Sequence, residues 1–146
     1  MDAIFNERTL LLVAHIGAVI LLIGPVIVAT SLFPRYASPE NAAVAGALHR
    51  ITRVYGATSL MVPGIGVILA QRFGLLGAGW IVAALVLFTV AFGLLIGFIV
   101  PRQDRLLQTL LDRTSPPADL ASLRMASGML NLIWLVILVL MVAKPT

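Results

Sequence analysis

The stretch that decides the fold is Ala78–Val100, AGWIVAALVLFTVAFGLLIGFIV, which carries no charged side chain and is followed at once by Pro101-Arg102-Gln103-Asp104-Arg105. An apolar run of this length matches the ~20 residues a helix needs to cross a ~30 Å hydrocarbon core. Three more runs flank it, Thr9–Phe33, Tyr55–Gln71 and Ala126–Ala143. The expectation is an all-α, integral membrane four-helix bundle forming a single domain over residues 1–146. Composition agrees: 60% of residues are hydrophobic, 11% are charged and the mean hydropathy is +1.07. Too little polar surface exists to cover a soluble globule of this size.

Charge sets the orientation. Seven of the ten Lys and Arg residues, Arg35, Arg50, Arg53, Arg102, Arg105, Arg113 and Arg124, fall in the first and third connections. Arg8, Arg72 and Lys144 lie on the other side. By the positive-inside rule the two Arg-rich connections are cytoplasmic and both termini face outward. The pI of 10.7 therefore reflects topology and anionic head groups, and nucleic acid is not an expected partner. The expected surroundings are the lipid bilayer, with a homo-oligomer or a larger membrane complex as further partners. Trp80 would sit near the outer interface. Asp2, Glu7 and Arg8 do not make the basic start of a signal peptide, so the first span is read as retained. The absence of cysteine excludes disulfides, thiolate nucleophiles and zinc–cysteine sites.

The cytoplasmic connections read as helical extensions. Ser38-Pro39-Glu40 has the form of a helix start, and Asn41 to Val54 would run into span two. Leu106, Leu107, Leu110 and Leu111 recur at helical spacing beyond span three. Thr114-Ser115-Pro116-Pro117 breaks that helix, and Asp119 opens the next. Phe33-Pro34-Arg35 with Ser38-Pro39 is echoed by Val100-Pro101-Arg102 with Ser115-Pro116, a pattern that two parallel helical hairpins would produce. Gly24-Pro25 and Pro63-Gly64 mark kinks, with Thr58 and Ser59 placed to serve the carbonyl that Pro63 frees.

Few residues carry candidate chemistry. His15 is the ionisable side chain lying well within a span, ~9 Å below the outer edge, where such groups are costly. It is either a haem or copper ligand, a proton relay, or a neutral imidazole bonded to a neighbouring helix. His49, most of a bilayer away, is not expected to share a haem iron with it within one subunit, which leaves single ligation or a site shared between subunits, and it is read as facing lipid phosphates or water. Met125 and Met129, four apart, present two thioethers of the kind that bind Cu(I), or simply fill space. Gly93 and Gly97 form a GxxxG pair that, with Ala14, Ala18, Gly56, Gly64 and Gly66, would serve either the internal bundle or an oligomer, and the bundle is the favoured reading. Asn131 is read as interhelical glue. No carboxylate lies within a span and no nucleophile–base pair is legible, so no catalytic residue is assigned and an enzyme is the weaker expectation.

Leu11-Leu12-Val13-Ala14-His15-Ile16-Gly17-Ala18 resembles the opening helix of small bacterial four-helix membrane proteins, among them an uncharacterised predicted-integral-membrane-protein family and the copper-resistance CopD-like group. Arg53-Val54-Tyr55-Gly56-Ala57-Thr58-Ser59-Leu60 and Phe98-Ile99-Val100-Pro101-Arg102 are similar to the second- and third-helix signatures of the uncharacterised family. The resemblance implies a bacterial inner-membrane protein with no assigned chemistry. Its CopD-like side implies copper, for which this chain lacks an evident ligand cluster. HemJ-type protoporphyrinogen oxidases pair a first-helix histidine with a lysine in a later helix, whereas the lysine here, Lys144, follows the last span. The functional expectation is an accessory or self-associating membrane subunit, with haem or copper handling through His15 as the alternative.

Overall fold

The computed structural model describes residues 5–112 and 120–144, which are helical or connecting and contain no strand. Four helices are long and apolar enough to cross a membrane: α1 (Glu7–Tyr36), α2 (Pro39–Phe73), α3 (Gly79–Leu111) and α4 (Leu120–Ala143). They run antiparallel in succession, so Arg35, Arg50, Arg53, Arg102, Arg105 and Arg124 gather towards one end of the described bundle and Glu7, Arg72 and Lys144 mark the other. The helices outrun the apolar stretches at the arginine-rich end: α2 begins at Pro39, α3 reaches Leu111 and α4 begins at Leu120. Hydropathy marks the lipid-facing length of a helix, whereas backbone hydrogen bonding continues as long as one face stays packed. The break expected at Thr114–Pro117 and the helix start at Asp119 lie outside the described residues.

Local chemistry accounts for the ends. The Asn6 side chain accepts the Thr9 N–H at 2.8 Å, capping α1. Gly74 closes α2 with φ of 69°, a left-handed conformation that glycine adopts without strain. Ser38 occupies the expected cap position before α2, yet its hydroxyl accepts from Asn41 Nδ2 at 3.0 Å instead of from the backbone. The first turn there is a 3₁₀ turn, Pro39–Asn41.

The prolines among the described residues are accommodated differently. Pro25 and Pro101 both follow a π-helical turn, Val19–Ile23 and Leu95–Ile99. The wider turn spreads the carbonyls against which a proline ring would collide. Pro101 therefore continues α3, whereas Pro34 lies in the 3₁₀ turn Phe33–Tyr36 that ends α1. The echo between Pro34 and Pro101 is thus one of sequence, and the structural counterpart of Pro101 is Pro25. In α2 the helix is interrupted at Ser59-Leu60, and the Ser59 carbonyl freed by Pro63 takes the Val62 N–H at 3.0 Å. Thr58 and Ser59 do not serve that carbonyl; their hydroxyls donate back to Val54 and Gly56.

Packing is uneven along the bundle. One core joins Ile23, Val26 and Phe33 of α1, Leu48 of α2, Phe88, Leu95 and Ile99 of α3, and Leu123, Leu130 and Trp134 of α4. Gly56 makes the tightest approach: a β-carbon there would stand 2.8 Å from Leu95 Cδ2. Towards the termini the four helices resolve into two pairs, α1 with α2 and α3 with α4, which touch each other little. The segment Glu7–Ala18 buries no residue.

Candidate functional site

Buried polarity collects at the arginine-rich half. On the extension of α2, His49 turns inward and its Nδ1 lies 3.1 Å from Gln103 Oε1 of α3, both side chains buried. Its Nε2 is 3.9 Å from Oδ1 of the exposed Asp104. Hydrogen bonding to Oε1 requires the Nδ1–H tautomer; turning the Gln103 amide over would make Nδ1 the acceptor. His49 was expected to face lipid phosphates or water, and this is corrected. The helical extension carries Ala45, Leu48, His49 and Thr52 as one buried face, so the imidazole goes with it, and Gln103 supplies the polar partner that burial demands.

A second polar region lies between α1 and α4. Ser31 and Arg35 stand one turn apart on α1; Arg124, Ser127, Gly128 and Asn131 follow one another along a face of α4. Together with Pro34 they line a pocket of about 430 Å³. Asn131 Nδ2 donates to Ser31 Oγ at 3.0 Å, so Asn131 does bond across helices, as interhelical glue would. Its Oδ1 is nevertheless enclosed and has no hydrogen-bond partner. The Ser127 hydroxyl donates to the Arg124 carbonyl at 3.1 Å. Neither Arg35 nor Arg124 forms an ion pair with a carboxylate among the described residues. Pro34 and Ser127 are buried at the back, and Arg35, Arg124 and Gly128 are exposed at the opening.

The other candidate residues are scattered. His15 is partly buried in the α1–α2 pair, with its ring against the backbone of Val62 and Gly66; a β-carbon at Gly66 would stand 3.0 Å from His15 Cε1. Its Nδ1 is enclosed and unbonded. Among the described residues no three His, Cys, Asp or Glu side chains come together as a metal site. The Nδ1 edge of the ring is thus closed against glycine backbone. Met125 and Met129 are 69% and 54% exposed on the outer surface of α4. Gly93 and Gly97 are exposed as well, and a β-carbon at either would meet nothing within 4 Å. They therefore do not serve the internal packing expected of them; Gly56 and Gly66 make the close approaches instead.

Gln103, and Arg35 and Arg124 as members of a pocket, were missed by reading the sequence. A signal existed: Ser31 with Arg35, Arg124 with Gly128, and Ser127 with Asn131 are i, i+4 pairs of polar or small residues at the margins of apolar runs. Nothing in one chain of letters shows that the α1 pair faces the α4 pairs. No family model, curated protein or solved structure matches this chain.

Proposed function

We propose that this chain is a non-catalytic, multi-pass subunit of a bacterial inner membrane that associates with a second copy of itself through α3, with its arginine-rich end in the cytoplasm and both termini outside. The observation that carries the reading is the outward-facing Gly93/Gly97 pair, with open space over both glycines. Val86 and Val90, exposed on the same helix, extend it into a ridge of small and β-branched side chains. Lipid provides no hydrophobic drive for helix association, so backbone approach over a small-xxx-small face is the means available. The orientation rests on the positive-inside rule, with seven of ten basic residues at one end. The bacterial assignment rests on the resemblance of the first, second and third helices to small bacterial membrane proteins.

The test is the mass of the particle extracted in mild detergent and, separately, captured in nanodiscs. A defined species larger than the monomer is expected. Gly93→Leu with Gly97→Leu should convert it to monomer while His15→Ala leaves it intact. A monomer in several detergents and in nanodiscs would overturn the reading.

A further inference from the structure

We infer that the pocket between α1 and α4 is a phosphoryl-binding site that seats the head group of an anionic phospholipid at the arginine-rich end of the bundle. Three observations converge. The pocket is an open, shallow concavity of about 430 Å³ with Arg35 and Arg124 exposed at its edge and no acidic side chain among its described lining residues. Those guanidinium groups have no carboxylate partner among the described residues, leaving their forked donors for a phosphate, to which they bind bidentately. The lining is polar where lipid-facing helix would otherwise be apolar: exposed Ser31, buried Ser127 and half-buried Asn131 belong to it.

The arrangement is graded along the membrane normal. Asn131 lies seven residues inward of Arg124, ~10 Å along the helix, so charge sits at the rim and neutral hydrogen-bonding groups sit deeper. Met129 and Leu132 beside them are exposed apolar side chains. An amphiphile matches that order, with its phosphate at the guanidinium pair, its glycerol oxygens at the hydroxyl and amide groups, and its acyl chains along α4. With two positive charges and no acid in the lining, a net anionic head group is favoured over a zwitterionic one, whose ammonium would find no partner. A soluble phosphate would share the arginines but leave the inner wall unused.

Native mass spectrometry of the full chain, stripped of lipid in mild detergent and shown by circular dichroism to stay helical, tests this. Three probes are titrated: phosphatidylglycerol, phosphatidylcholine with the same acyl chains, and inorganic phosphate. Phosphatidylglycerol should bind at least about tenfold more tightly than phosphatidylcholine, and Arg35→Gln with Arg124→Gln should cost about tenfold or more. Gly128→Leu should give a similar loss with both charges retained, because it fills the opening, where a β-carbon meets no atom within 4 Å. Arg50→Gln with Arg53→Gln, exposed on α2 and outside the pocket, should leave binding unchanged. Inorganic phosphate that binds alone and displaces phosphatidylglycerol would keep the phosphoryl site and overturn the lipid as its source. Equal binding of the two lipids, indifference to Gly128→Leu, or equal losses from the two arginine pairs would overturn the site itself and leave diffuse attraction of basic residues to anionic lipid.

Discussion

The two halves of this bundle solve the membrane problem differently. At the arginine-rich half four helices meet: Phe33, Leu95, Ile99, Leu106 and Leu130 are almost wholly enclosed, Gly56 admits Leu95 to its backbone, and His49 is held by Gln103. At the terminal half the helices part into two pairs, and the first twelve residues of α1 bury none of their number. What holds α1 to α2 there is local, with Arg72 on Glu7 at 2.9 Å, Arg8 over the Phe73 ring at 5.0 Å, and His15 against Gly66. The comparison teaches that a membrane helix needs a packed face over only part of its length. Lipid is as apolar as leucine, so an unpacked segment carries little penalty.

The contrast is open to breaking. Gly56→Leu should show the largest effect, a loss of ~3 kcal/mol as the new side chain drives α2 from α3, read by unfolding the protein in mixed micelles with rising dodecyl sulfate. Gly17→Leu in the terminal half, where a β-carbon meets nothing within 4 Å, should stay within about 0.5 kcal/mol; equal losses would abolish the distinction between the halves.

Next comes Leu130→Ala, at a fully enclosed site, with an expected cost of about 2.5 kcal/mol for the cavity left behind. Leu132→Ala, 61% exposed, should cost far less by the same assay, because lipid replaces the lost contacts. Gln103→Leu should then cost ~2 kcal/mol by leaving the buried His49 nitrogen without its partner. Adding His49→Leu should restore part of that loss; strict additivity of the two would show that the pair is not coupled.

The smallest effect belongs to the terminal rim. Glu7 and Arg72 are both more than half exposed, and Arg72→Ala should cost less than about 0.5 kcal/mol, diminishing further in high salt. A loss as large as that of Leu130→Ala would mean that the terminal half carries more of the stability than its burial shows.

Much of this was legible in the letters, and the residues show where legibility stopped. Ala78–Val100 has the length and apolarity of a spanning helix, and the leucines at 106, 107, 110 and 111 announced its continuation. The prolines were visible as bends, but not that π turns would precede Pro25 and Pro101 while Pro34 ended its helix. GxxxG in α3 and the single glycine at position 56 looked alike as packing signals; in the folded chain one faces outward and the other meets Leu95.

The sequence by itself determined four apolar helices, the positions of the prolines within them, and the gathering of arginine at one end, because these follow from length, hydropathy and local backbone chemistry. Only the tertiary structure decided how each helix is rotated about its axis. Periodicity tells which residues share a face but not what that face meets. In lipid, where inside and outside are both apolar, hydropathy no longer separates the two. That rotation buries His49 on Gln103, turns Gly93 and Gly97 away from the bundle, and brings Ser31 and Arg35 to Arg124 and Asn131 across 100 residues of sequence between Ser31 and Asn131.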